Sequence, residues 1–265
     1  MKLDRLRVSE LDKETKAQVV AVVPLGALEQ HGSHLPMGTD YMIVGGIAER
    51  LEARLPNQVL LVPSVWMGHS DHHLEIGAIS ADVQTYMGMI KSIVRSLVTF
   101  GIRKILLLSG HGRNDIPAKA AMLELKNEFR EVDDLFVLFA SYWQFNQAVI
   151  DKETKEPFRS ETGGRLGSVG HASDTEMSLI LYLDEACADV EQAKLNAGGP
   201  RSTVQSKANT LSRKGFPVYM TTDALEWSKH GVNGTPAGGT ADAGKRIVEG
   251  VTDELADFIL AFMEW

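Results

Sequence analysis

Short runs of β-branched residues and leucine alternate along this chain with longer stretches whose apolar residues recur every three or four positions. Runs of strand length occupy 18–26 (QVVAVVPLG), 58–66 (QVLLVPSVW), 103–110 (RKILLLSG) and 134–143 (DLFVLFASYW). Amphipathic segments occupy 40–55, 81–101 and 116–129 between them. Near-continuous apolar runs are strands buried on both faces, and the segments that follow are their covering helices. The pattern predicts an α/β fold, a mostly parallel central sheet flanked by helices, in a single domain over 1–265. Further helices are expected near 173–190 and over 240–265. The polar, glycine-containing stretch 144–170 reads as an excursion over one side of the sheet, and 196–217 as loop.

In open parallel sheets, ligands bind beyond the carboxyl ends of the strands. The histidine-rich segments GHSDHHLEIG and SGHGRNDIP both follow predicted strands directly. Chemistry is therefore expected at that rim.

Charge and composition narrow the class of function. A formal charge of −8 repels nucleic acid and anionic membrane, so neither is expected as a partner. No uncharged apolar run approaches the roughly 20 residues of a membrane span. The charged N-terminus has no apolar signal-peptide core, and the single cysteine, Cys187, reads as a packed thiol in a reducing compartment. A cytoplasmic protein is expected.

The segment GALEQHGSHLPMGTD (26–40) crowds Glu29, His31, His34 and Asp40 among three glycines and a proline. In extended chain, residues i and i+2 point the same way, so Glu29 and His31 can address one point. Asp40 returns after the turn, at the start of a helix. Imidazole with carboxylate suits zinc, manganese or iron better than magnesium, and there is no thiolate cluster for structural zinc. Taken alone, a solvated polar loop explains the segment equally well. His111, between Gly110 and Gly112, adds a second strand-end imidazole, and His171, Asp174 and Glu176 add a third group at a helix start. A tight turn for His111 and a helix-dipole role for Asp174 are the plain alternatives.

The motifs PLGALEQHGSHLPMGTD, SGHGRN, GHASDTEMS and GVNGTPAGGTADAGKRI, in this order and spacing, resemble the creatininase (creatinine amidohydrolase) family over most of the chain. The resemblance implies a cytoplasmic binuclear metal-dependent amidohydrolase that cleaves a non-peptide C–N bond, a cyclic amide or a formamide, in a small molecule. It implies a homo-oligomer, as a hexamer. Two divalent ions, zinc or manganese with iron as a further option, are implied. Carried over by position, Glu29 and His111 hold one metal, His31 holds the other, and Asp40 bridges them. His171 matches the proton shuttle.

Where creatininase has a second-site glutamate two residues after the ligand histidine, this chain has Arg113; Glu176 is the replacement and joins His171 in catalysis. Ser70 and His73 match pocket positions for substrate, although the family's Phe-Pro pair after them is lost. Arg113 is expected to turn toward the substrate, which would then be anionic. His34 and Asn114 are expected to support the ligands from behind. His230 precedes a glycine-rich turn that either closes over the site or serves a subunit contact. The competing reading is a catalytically inactive metal-binding protein with an assembly or ligand-sensing role, favoured by the loss of glutamate at position 113.

Overall fold

A computed structural model describes residues 1–153, 170–195, 221, 223–227 and 230–265. Its central sheet has four strands, all parallel, in the order β3–β1–β5–β6: β1 (Val20–Leu25), β3 (Val59–Leu61), β5 (Lys104–Ser109) and β6 (Phe136–Ser141). A separate two-stranded antiparallel ribbon, β2 (Leu28–Glu29) with β4 (Ala78–Ile79), stands beyond the end of β1. That ribbon was not expected, because two-residue strands carry no periodicity to read.

The helices, in chain order, are α1 (Lys13–Ala17), α2 (Thr39–Arg54), α3 (Val83–Phe100), α4 (Asp115–Glu128), α5 (Gln147–Glu153), α6 (Asp174–Leu183), α7 (Val190–Leu195), α8 (Ala224–Trp227) and α9 (Ala241–Met263). The helix expected over 173–190 is thus interrupted after Leu183 by a turn at Glu185–Cys187. Cys187 lies exposed there and donates to Asp184, so it is not the packed thiol expected. Of the excursion at 144–170, residues 154–169 lie outside the described residues; so does the expected loop at 196–217.

Every residue of β1 is buried, and alternate side chains enter different cores. Val20 and Val22 pack with Leu106 and Leu108 among residues of α2, α6 and α9. Ala21, Val23 and Leu25 pack with Ile105 and Leu107 among residues of α3 and α4. Two-sided burial explains why these strands are apolar throughout. Pro24 is tolerated in this central strand because its carbonyl accepts from Val65, which places its missing N–H on the side where β3 has already ended.

At the carboxyl ends of the strands the packing becomes tight for a specific reason. A Cβ added to Gly26 would lie 2.5 Å from Tyr41 Cα, and one added to Gly110 would lie 2.7 Å from the Asp40 carbonyl oxygen. Both glycines let the first turn of α2 sit directly on the ends of β1 and β5, which carries Asp40 to the rim. No helix among the described residues is long and apolar enough to cross a membrane.

Candidate metal centre and active site

Three buried carboxylates, Glu29, Asp40 and Glu176, meet at this rim with His31 and His111. Glu29 is fixed by the β2–β4 ribbon, where it pairs with Ala78, and Asp40 by the first turn of α2. His111 lies two residues beyond the end of β5, after Gly110, and Glu176 lies in the first turn of α6. Ligand atoms of Glu29, Asp40 and His111 lie within 4.8 Å of one another, and so do those of His31, Asp40 and Glu176. Asp40 belongs to both groups. Its Oδ2 is 3.0 Å from His111 Nδ1, and its Oδ1 is 3.4 Å from His31 Nε2.

The backbone decides which ring nitrogens carry protons. His31 Nδ1 is 3.0 Å from the Glu29 carbonyl, and His111 Nε2 is 3.1 Å from the His69 carbonyl. A carbonyl only accepts, so each of these nitrogens donates. The opposite nitrogens, His31 Nε2 and His111 Nδ1, therefore turn lone pairs toward carboxylate oxygens. Both oxygens of Glu29, Asp40 Oδ2 and His31 Nε2 are buried with no hydrogen-bond partner among the described residues. Lone pairs facing carboxylates across 3.0–3.6 Å need a proton or a cation between them.

Electrostatics give the same account. Burial raises Glu29 above the ordinary glutamate range, and burial lifts Glu176 to about 7 against the pull of His31. Burial disfavours a charged His31, yet Asp40 and Glu176 prevail and hold it at about 10. His111, also opposed by burial, is held at about 9 by Glu29 and Asp40. Asp40 resists burial because His31 and His111 hold it below the ordinary aspartate range. Burying a carboxylate without counter-charge costs several kcal/mol even after relaxation, and a whole domain is stable by only about 5–15 kcal/mol. Glu29, Asp40 and Glu176, with His31 and His111 among them, form a buried carboxylate nest whose ligand atoms could hold a metal ion.

The remaining expected residues surround this nest. His171 Nδ1 is 3.4 Å from Glu29 Oε1, and its ring lies 4.2 Å from that of His31. Burial, then His31 and His73, hold His171 well below the ordinary histidine range. His73 Nε2 is 3.6 Å from the same Glu29 oxygen, and Ser70 Oγ is 3.4 Å from His111 Nε2. Asn114 ties the rim together by accepting from His69 N and donating to the Gly26 carbonyl. His34 was expected to orient a carboxylate; its Nε2 instead donates to the Ala172 carbonyl. It acts on the backbone whose Ala172 N–H in turn donates to Glu176 Oε2 at 2.6 Å. Arg113 is half-buried between His111 and α4, and its charge is among those that hold His72 and His73 low, after burial.

Three groups here lie outside the sequence expectation. His72 is buried with ligand atoms near those of Glu29 and His73. Gln30 contacts both His73 and His171. Tyr142, at the end of β6, is fully buried; burial, then Glu176 and Asp40, push its ionisation up. The H-H pair at 72–73 was the available signal for His72, while Gln30 and Tyr142 carry none without the fold. An apolar groove of about 500 Å³ between α4 and β6, lined by residues such as Met122, Phe129 and Leu138, shares no residue with the nest.

A family model described as creatininase, creatinine amidohydrolase, matches residues 4–259. The chain belongs to the creatininase family. It is 30% identical over 199 residues to a creatinine amidohydrolase of Pseudomonas putida, covering 68% of this chain and 72% of that one. It is 27% identical over 270 residues to a mycofactocin precursor peptide peptidase of Mycobacterium tuberculosis, covering 97% and 92%. A crystal structure of creatinine amidohydrolase (creatininase) superposes with a TM-score of 0.79 at 25% identity, covering 97% of this chain and 96% of that one. The creatininase fold therefore extends across this chain, and the creatinine amidohydrolase and the peptidase it resembles are both hydrolases of C–N bonds. Within that fold, this creatininase-family chain places the two lone-pair nitrogens and three carboxylates described above at the strand ends.

Proposed function

We propose that this chain is a binuclear metal-dependent amidohydrolase that cleaves a C–N bond, a cyclic amide or a formamide, in a small molecule. One cation would be held by Glu29, Asp40 and His111, and the other by His31, Asp40 and Glu176. The observation that carries this reading is the pair of imidazole nitrogens, His31 Nε2 and His111 Nδ1, that face buried carboxylates while their other ring nitrogens are held by backbone carbonyls, a donor set suited to a cation of the zinc, manganese or iron type. Cations in these positions would supply the charge that acidifies a water and polarises the scissile carbonyl.

The chain's own residues account for the rest. His171 takes a proton at Nδ1, the nitrogen facing Glu29, and passes it to the departing nitrogen. The water oxygen ends on the carbonyl carbon, the C–N bond breaks, and the amine leaves with that proton. Ser70, His73 and Arg113 border the approach, and Arg113 favours a substrate bearing a carboxylate or phosphate. A homo-oligomer, a hexamer by family resemblance, belongs to the same proposal.

The Mycobacterium tuberculosis relative is a precursor peptide peptidase, which favours a second reading: a peptide bond as the bond cleaved. Protein purified without chelator, assayed for bound transition metals and against lactams, formamides, N-acyl amino acids and short peptides, tests both. About two ions per chain with turnover of a lactam or formamide supports the first. Turnover of peptides alone moves the substrate to the second. Bound metal with no turnover of any member identifies a binding protein instead.

A further inference from the structure

Gln30 stands between Glu29 and His31, and the reaction as described does not use it. The orientation of its carboxamide follows from one contact: the Gly32 backbone N–H lies 2.8 Å from Oε1. An N–H only donates, so that end of the amide is oxygen and the other is NH₂. Nε2 has two hydrogens and three neighbours: His73 Nδ1 at 2.9 Å, His171 Nε2 at 3.2 Å and the Gly231 carbonyl at 3.3 Å. His171 Nε2, however, is 2.7 Å from the backbone carbonyl of Gln30 itself. It must donate there, so it cannot accept from the side chain. The two amide hydrogens go to His73 Nδ1 and to Gly231.

Both imidazoles therefore carry their proton on Nε2, but they turn opposite ends toward Glu29 Oε1. His171 presents Nδ1 without a proton at 3.4 Å, and His73 presents Nε2–H at 3.6 Å. One residue thus turns a bare nitrogen of the first histidine and an N–H of the second toward one carboxylate oxygen. Gly231 completes the clamp. Its φ of +67° suits glycine, and a Cβ there would overlap the Gln30 amide nitrogen.

We infer that Gln30 is a positioning residue that sets the protonation pattern of the site, its carbonyl fixing His171 and its side chain fixing His73 and the Gly231 turn. The inference rests on the hydrolase reading only for its effect on rate; the tautomers themselves are a property of the folded chain. Gln30→Glu replaces the NH₂ donor by an acceptor, which forces the His73 proton onto Nδ1. Gln30→Met keeps the volume and offers neither. Gly231→Ala displaces the wild-type amide from a position 201 residues away.

The test is long-range ¹H–¹⁵N NMR of the imidazoles in zinc-loaded protein, together with metal content, kcat and KM. In the wild type His73 should show the Nε2–H pattern. Gln30→Glu should change it to Nδ1–H, and Gln30→Met and Gly231→Ala should each give a mixture. In all three, kcat should fall about 10- to 100-fold with bound metal and KM nearly unchanged. An unaltered His73 ring pattern in Gln30→Glu, or a wild type already protonated at Nδ1, overturns the inference. Altered ring patterns in a protein that hydrolyses nothing sustain the clamp and remove the hydrolase reading, so the two fail separately. Should Gly231→Ala not fold, the Gln30 pair decides alone.

Discussion

The two halves of the carboxylate nest share Asp40 but are assembled differently. The Glu29–Asp40–His111 half is built on sheet ends: Glu29 on β2, paired with β4, and His111 two residues beyond the end of β5, before a turn. The His31–Asp40–Glu176 half depends on a distant segment, in which the Ala172 N–H holds Glu176 and the His34 ring holds the Ala172 carbonyl. Glu176 Oε2 thus has a protein donor, whereas neither oxygen of Glu29 has a hydrogen-bond partner among the described residues. A carboxylate already held by a backbone N–H is preset in direction; one without a donor relies on the cation itself. This teaches that the halves should differ in affinity and in what disturbs them.

The largest expected effect comes from the group they share. Asp40→Asn should strip both cations, taking metal content from about two per chain to near none. Activity should fall by at least about 10³-fold, since loss of several kcal/mol of charge stabilisation corresponds to that factor. Retention of both ions in Asp40→Asn would separate the two halves and end the comparison. Next come the paired substitutions that tell the halves apart. Glu176→Gln should leave one ion, released by no mutation in the 170–176 segment, while Glu29→Gln should leave the other. Each should lower activity about 10²-fold. Equal loss of both ions from either variant would mean that the halves bind as one unit.

The difference between the halves also explains what could be read from the chain alone. The alternation of QVVAVVPLG, QVLLVPSVW, RKILLLSG and DLFVLFASYW is legible because two-sided burial leaves a continuous apolar signature. Glu29, His31 and Asp40 are legible because they lie within twelve residues of one another. Glu176 is legible as a candidate at a helix start, but nothing local tells a ligand from a carboxylate complementing the helix N-terminus; its place in the second site came through family resemblance. Gln30 was invisible for a geometric reason. Strand parity points it away from Glu29 and His31, and only the turn at Gly32 with two remote loops brings His73, His171 and Gly231 around it. His34 shows the converse: a histidine among ligands that acts on a backbone carbonyl 138 residues away.

A smaller effect sharpens the comparison through pH. With cations removed by chelator, His31 at about 10, His111 at about 9, Glu176 at about 7 and a raised Glu29 all bind protons more tightly folded than unfolded. Stability falls as pH rises wherever the folded state holds the extra protons. The metal-free protein should therefore lose Tm from about pH 7 to about pH 10. Toward acid pH the sense reverses, because His34, His72, His73 and His171 bind protons less tightly folded than unfolded, and Asp40 joins them below its ordinary value of 3.8. Cations take the place of those protons, so the Tm gap between loaded and chelated protein should widen with pH. Because Glu176 carries the step near 7 and helps to hold His31 at about 10, Glu176→Gln should flatten the neutral part of the curve and weaken the alkaline part. A chelated protein whose Tm climbs between about pH 7.5 and about pH 9 would show that the nest is not holding protons in place of metal.

The smallest effect belongs to Arg113, which should be needed by neither half. Its charge acts on His72 and His73, and His73 Nε2 lies 3.6 Å from Glu29 Oε1. A guanidinium placed there repels a cation at close range but rewards an anionic substrate, and a partly exposed pair of this kind is worth about 1 kcal/mol. Arg113→Met should leave metal content at its wild-type value and kcat nearly unchanged. KM for substrates bearing a carboxylate should rise about three- to tenfold, and KM for neutral amides should stay the same. Gain of metal affinity in Arg113→Met would show instead that the arginine presses on the Glu29 half, and would make it the reason that the two halves bind unequally.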